Sequence, residues 1–457
     1  MGESSPPGLG AFLRIWLGQS ISLFGSGLTA FAVGVWTFET TGSVTLFSLI
    51  AVAASLPPIF LSPFAGALLD RHDRRWLMIL SDAGAALATG ALVLLIWSGA
   101  LQIWHLFVIA GLSAAFGTFQ HPAFSAVTTL LVPREHLGRA AGLVQMGQAG
   151  AQILAPLVAG FLLIKIQLAG VIAVDLATFL LAVILLLTVR IPRPEVSVEG
   201  AGARSSLWRE AAFGWHYIRR RGGLLRLLAY FAGLNFLVPL GMLLAVPLVL
   251  SFRTAAELGT VQAIGGIGFL VGSIFMAGWG GPKKKILGIL GLAPLISVGL
   301  VVTGATASVP WIACGLFLVF FTFPILNGCS QAIWQTKVEP DVQGRVFAIR
   351  SLVAQGTAPL GFLLAGPLSD RVFGPLLAEG GPLADTFVGQ VIGVGAGRGV
   401  GLLMVTMGGV FLVLTLLAFA SGSLRRLEDE LPDAVLPQAA AQEPSPTDSP
   451  EAEPQVG

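Results

Sequence analysis

Twelve apolar runs follow one another through this chain, each near or above the roughly 20 residues that a helix needs to cross a bilayer. With loose boundaries they cover 12–38, 44–69, 76–98, 103–131, 141–164, 168–189, 225–251, 258–281, 286–306, 309–336, 346–369 and 399–423, taken in order as spans 1 to 12. Inside hydrocarbon a spanning segment of this length satisfies its backbone polar groups as a helix, so the fold class expected is an all-α polytopic membrane protein with twelve transmembrane helices. Composition agrees, since 55% of the 457 residues are hydrophobic and 11% are charged, whereas soluble domains carry about 25% charge. That excludes an ordinary soluble enzyme. A disulfide scaffold is excluded too: Cys314 and Cys329 share one apolar run, and as a helix it separates them by roughly 22 Å.

Lys and Arg fall on one side of this topology. Twenty-two of the 26 lie at the chain start, in the loops around 71–75, 134–139, 190–226, 283–285 and 337–350, or at 425–426; Lys165, Arg253, Arg371 and Arg398 take the other side. The positive-inside rule then puts both termini in the cytoplasm and the protein in the cell inner (plasma) membrane. The long run at the start reads as a retained span with no cleaved leader. The polar, Arg-rich stretch 190–224 divides the bundles 1–189 and 225–426, and within it Leu207 to Arg221 has the pattern of an amphipathic helix on an anionic leaflet. From 427 to 457 the chain is acidic and rich in Pro and Ala, the composition of a disordered cytoplasmic tail.

The two bundles are related. A shift of 206 residues places Val132, Gly138, Arg139, Gly150, Leu154, Leu157, Ala159 and Gly160 on Val338, Gly344, Arg345, Gly356, Leu360, Leu363, Ala365 and Gly366 without a gap. Two pseudo-symmetric six-helix bundles rocking about a midplane site are the expected plan.

Gly66-Ala67-Leu68-Leu69-Asp70-Arg71-His72-Asp73-Arg74-Arg75, between spans 2 and 3, resembles the major facilitator superfamily signature Gly-x-Leu-x-Asp-Arg-x-x-Arg-Arg. Gly66 permits close helix approach, Asp70 can place a carboxylate at a helix terminus of the other bundle, and Arg71, Arg74 and Arg75 hold the loop on the basic side. The resemblance implies that these five residues latch the outward-open state. The second bundle keeps Lys283, Lys284 and Lys285 but no acid matching Asp70, so a one-sided latch is expected.

Further segments resemble the branch of that superfamily holding macrolide-efflux pumps and the enterobactin exporter: Trp16 to Ser22, Thr41-Gly42-Ser43, Asp82, Phe119 to Ala123, Leu131 to Leu137 and Val174 to Phe179. Gly142, Ala151, Ala155, Pro156, Ala159 and Gly160 are similar to the antiporter motif of span 5, with Ala at three of its Gly positions. That string suits tight packing, or a seal on the cytoplasmic side. Unlike proton-coupled antiporters of related branches, Leu106 to Thr118 in span 4 has no basic residue.

Spans 1, 4, 7 and 10 are innermost in the superfamily, and they carry polar stripes. Gln19, Ser22, Ser26 and Thr29 share one face of span 1, and Thr118, His121, Ser125 and Thr128 repeat that spacing in span 4. Gln145 and Gln148 in span 5, Asn235 in span 7, and Asn327 and Gln331 in span 10 complete the expected wall of a central substrate cavity. Candidate proton carriers are Asp82, Asp175 and His121.

The resemblance implies a drug:proton antiporter, a secondary active transporter exporting amphipathic small molecules (drug, macrolide or siderophore-like) by alternating access. An uncoupled uniporter or lipid flippase of the same fold is the alternative. Zinc-protease, nucleophile-elbow and phosphate-loop spacings do not occur, so neither an enzyme nor an ATP-driven pump is expected. Nor is a cofactor, a metal or a nucleic-acid partner; the working unit expected is a monomer in the lipid bilayer.

Overall fold

The computed structural model describes residues 9–71, 73–133, 136–189, 207–339 and 342–434. The apolar runs become helices: α1 Leu9–Thr41, α2 Val44–Arg71, α3 Arg74–Trp97 and α4 Ile103–Leu131. The next run, Leu137–Leu187, is continuous except at Gln167, whose φ of 56° and ψ of −176° lie outside helical space. Its two arms meet the same stretch of α1. A β-carbon on Gly147 would stand 2.5 Å from Ser20 Oγ, and one on Gly18 would stand 3.2 Å from Leu185 Cδ1. The chain therefore reverses at Gln167, giving α5 (137–166) and α6 (168–187).

The second bundle follows as α7 Gly222–Leu250, α8 Ala255–Trp279, α9 Lys285–Ala305, α10 Val309–Lys337, α11 Gln343–Pro367 and α12 Arg398–Ala420. Pro294, which has no backbone donor, interrupts α9. The fold is all-α, with no strand among the described residues, and its twelve helices cross the membrane as spans. Helix ends are set locally. Asp73 accepts from the Arg75 amide to cap α3, and Thr254 with Glu257 forms a capping box at α8.

The bundles meet along two seams, α2 against α11 and α5 against α8. In both, backbones touch through glycine near the end remote from the basic loops. A β-carbon on Gly160 would stand 2.5 Å from the Ala255 carbonyl oxygen, one on Gly259 would overlap the Pro156 carbonyl, and one on Gly366 would overlap Thr45 Cα.

Two segments from the polar parts of the sequence are fastened at the basic end. Leu207–Arg220 is helical, with Ile218 fully buried. It packs on the start of α11, where a β-carbon on Gly214 would stand 2.5 Å from the Arg345 carbonyl oxygen. Residues 427–434, expected as the start of a disordered tail, are docked. Leu427 is fully buried, Glu428 accepts from the Ile286 amide at 2.8 Å, and Lys284 and Lys337 pair with Asp429 and Asp433 at 2.8 and 2.7 Å. The acids that looked like tail composition are countercharges to α9 and α10. Residues 435–457 and 190–206 lie outside the described residues.

The linker helix is held to Glu339 by Tyr217 Oη and by Arg221 at 3.3 Å, with Arg221 stacked 3.6 Å over the Tyr217 ring. The hydrogen bond from Tyr217 keeps the Glu339 carboxyl below its ordinary value, while burial and that same bond push the Tyr217 phenol up to about 12. A depressed carboxylate stabilises the docked form above its ordinary value, and that contribution is lost as pH falls through the lowered one. A nitroxide at Trp215→Cys, with Cys314→Ser, should therefore stay immobile from neutral pH down to about 4.5 and gain mobility as pH falls further, through the lowered value. In Glu339→Gln it should be mobile throughout. Mobility that ignores both pH and the substitution would show the helix to be held by other contacts.

Candidate functional site

Polar side chains in hydrocarbon need partners, and in the first bundle they find one another. Gln19 Nε2 on α1 donates to Asp82 Oδ2 on α3 at 2.9 Å, and Gln120 Nε2 on α4 donates to Gln19 Oε1 at 2.6 Å. Trp16 Nε1 donates to the Leu143 carbonyl at 2.8 Å and ties the same face of α1 to α5. Asp82 is 4% exposed. The chain Gln120–Gln19–Asp82 borders a cavity of about 340 Å³ lined also by Ser22, Ser26, Ser81, Ser113, Phe124, Gln148 and Phe179. Among the described residues, Asp82 is its one charged side chain. The carbonyl oxygen Oε1 of Gln120 is buried there without a partner.

Asp175 on α6 is 1% exposed and borders a second cavity of about 410 Å³ with Thr29, Thr89, Leu106 and Leu243. Ser26, Ser113 and Phe179 line both cavities. α6 approaches α1 closely at this point, since a β-carbon on Gly25 would stand 2.7 Å from Asp175 Oδ1. A third space, about 760 Å³, lies between the bundles; Gln148, Gln152 and Gln262 face it, and it shares Leu23, Ser26 and Gln148 with the Asp82 cavity. The α1 stripe Gln19, Ser22, Ser26, Thr29 thus runs past both acids.

Other expected wall residues are engaged elsewhere. Asn235 Nδ2 donates to Phe231 O at 2.8 Å and Asn327 Nδ2 to Phe323 O at 3.0 Å, each one turn back on its own helix. Thr118 Oγ1 does the same with Ala114 O. Gln331 Oε1 accepts from Arg350 at 2.6 Å, and Gln145 is exposed. Gln120 was quoted only within a motif; its place one residue before His121 puts it on a different face from the α4 stripe, and no periodicity singled it out.

Of the latch residues, Arg74 donates to the Ala126 carbonyl on α4 and Arg75 to the Leu187 carbonyl at the end of α6. Both fasten the first bundle internally, and Arg75 satisfies a free helix terminus. The side chains of Gly66, Asp70, Arg71 and His121 lie outside the described residues. In the span 5 string, Ala155 and Ala159 are buried, Ala151 lines the space between bundles, Pro156 and Gly160 meet α8, and Gly142 has open space beside it.

Two six-helix bundles with a polar cavity in hydrocarbon, facing a space between them, define a membrane carrier. The sequence profile of the Major Facilitator Superfamily matches residues 15–362, and the chain belongs to that family. It is a multi-pass membrane transporter of small molecules, not an enzyme. It is 28% identical over 368 residues to macrolide efflux protein A of Streptococcus pyogenes, covering 79% of this chain and 90% of that one. Against the multidrug efflux pump Tap of Mycolicibacterium fortuitum it is 24% identical over 360 residues, covering 76% and 86%. Its fold is similar to the crystal structure of a bacterial homologue of the human lysosomal transporter Spinster, in an inward-facing and unoccupied conformation. The TM-score is 0.69 at 17% identity, covering 93% of this chain and 99% of the other.

Gln19→Leu removes the 2.9 Å donor of the buried Asp82 carboxylate, leaving Gln120 beside it, and is expected to cost about 1–3 kcal/mol. A lowered thermal midpoint in detergent would report it. Gln120→Leu, whose bond goes to Gln19, should cost less; parent-like midpoints for both would mean that water supplies the carboxylate instead.

Proposed function

We propose that this carrier exports amphipathic small molecules, of drug, macrolide or siderophore-like kind, by alternating access with proton antiport. The observation that carries the reading is the Asp82 cavity. Its volume suits a small ligand or part of a larger one, its wall is largely apolar, and it presents a carboxylate and the unpaired Gln120 Oε1 as acceptors. The efflux proteins that resemble the chain support the direction of transport. Its cytoplasmic side is the basic end, with both termini there, in the plasma membrane. The bundles 1–189 and 225–426 move about the α2–α11 and α5–α8 seams as a monomer. The α5 string seals one of these seams, and Asp70, with Gly66, Arg71, Arg74 and Arg75, latches the outward-open state.

Asp82 and Asp175 border adjoining cavities, and only one needs to carry the proton. In everted vesicles given a fluorescent amphipathic cation, Asp82→Asn is expected to abolish uptake driven by the pH gradient. Asp175→Asn should lower yield or rate while leaving the response to the gradient. Full activity in both would remove both from coupling, and movement indifferent to a proton uncoupler would leave an uncoupled uniporter or flippase.

Asp70→Asn should insert at parent levels and lose about five- to thirtyfold in flux, the size expected when a helix-terminal charge contact of about 1–2 kcal/mol is removed from one of two states. Parent-level flux would refute the latch.

A further inference from the structure

At the end of the bundles remote from the basic loops, a carboxylate of the second bundle holds a helix of the first. Past Pro367 the chain continues as a single π-helical turn, Leu368–Phe373, a rare form that is frequent at functional sites. This turn carries Asp370 onto the start of α2. Its oxygens accept from Ser43 Oγ at 3.1 Å, the Val44 amide at 3.2 Å, the Thr45 amide at 2.9 Å and Thr45 Oγ1 at 2.7 Å. Free amides and the positive end of a helix dipole make this a favourable seat for an anion. Here the anion comes from the opposite bundle, beside the glycine contact of Gly366 with Thr45.

The residues that build this contact repeat those at the other end. Gly66-x-Leu68-x-Asp70-Arg71 closes α2, and Gly366-x-Leu368-x-Asp370-Arg371 follows the same spacing where α11 ends. Since α2 and α11 pack antiparallel, the two segments lie at opposite ends of one seam. Gly366 to Arg371 ends beside the first turn of α2.

We propose that Gly366 to Arg371 is a second latch, in which Asp370 locks the bundles shut at the end remote from the basic loops, and that it releases as the Asp70 latch engages. This inference rests on the alternating-access reading. Gly366 belongs to the lock for a steric reason: a β-carbon there drives α11 off Thr45.

Nitroxides at Thr40→Cys and Ala378→Cys, in the full chain with Cys314→Ser in lipid nanodiscs, report the separation of the bundles at that end. Asp370→Ala is expected to enlarge the population with the longer distance about five- to tenfold, the scale of losing a helix cap. Gly366→Ala should act in the same direction. Thr45→Val, which removes one hydroxyl donor and keeps the fold, should shift the population less, and its effect should vanish in the Asp370→Ala background. Asp70→Asn should move the distances the opposite way. An unchanged distribution in Asp370→Ala, or in Thr45→Val if the former does not fold, overturns the lock. Silence of Asp70→Asn alone would remove the latch at the basic end and leave this one. A shift in Asp370→Ala without measurable flux in the parent would support the lock and sink the export reading.

Discussion

A carboxylate inside hydrocarbon persists only where donors reach it, since placing one at a helix centre costs about 2.5–3.5 kcal/mol on insertion scales. In this protein α1 meets that demand. Gln19 reaches Asp82, Gln120 reaches Gln19, and Gly25 lets α6 bring Asp175 against the same helix. These contacts fix the rotation of α1 about its axis, so that its polar stripe faces α3, α4 and α6. Once α1 is set, the cavities follow, because serines and glutamines on that face leave space that larger apolar side chains would fill.

The second bundle solves the same problem differently. Asn235 and Asn327 bond to their own helices, and α9 and α12 touch backbone to backbone where Gly304 meets Gly401. Its basic end is tied by Glu428, Asp429 and Asp433 to α9 and α10. Each of these bonds uses one amide proton and leaves the side chain's carbonyl oxygen free for another partner. The cavities bordered by Asp82 and Asp175 are lined mainly by the first bundle, while Gln262 of the second faces the space between the bundles.

Much of this was legible in the sequence, for reasons that differ by element. Span length and the sidedness of Lys and Arg marked every crossing, because hydrocarbon thickness admits few alternatives. Asp82, Asp175 and the α1 stripe stood out as polar residues where lipid would exclude them. Asn235, Asn327 and Thr118 looked equivalent but are not: a short polar side chain can return its proton to the carbonyl one turn back, and spacing cannot tell that from facing a cavity. The reversal at Gln167 has no Gly or Pro at the turn, but Lys165 and the length of the apolar run marked it between spans ending at 164 and starting at 168. The docking of 427–434 was hidden because acids that look like disorder by composition are ordered by lysines far away in sequence. In the sequence Asp370 is one acid beside Arg371 after the last run but one, with no periodicity to mark it. Its role depends on which helix start lies beside it, and duplication by a fixed shift of 206 does not bring it onto Asp70.

The antiparallel packing of α2 on α11 makes this last point more than a matter of detection. Two antiparallel helices related by an approximate two-fold axis place the end of each beside the start of the other, so one short segment can serve both ends of the seam. At the end remote from the basic loops Asp370, just past the last turn of α11, finds the amides of Val44 and Thr45 and a dipole of the right sign. Backbones pressed together at Gly366 and Thr45 fix how closely α2 and α11 approach at that end. The proposed lock does not have to be strong. A contact of a few kcal/mol suffices to shift a two-state carrier between one end closed and the other.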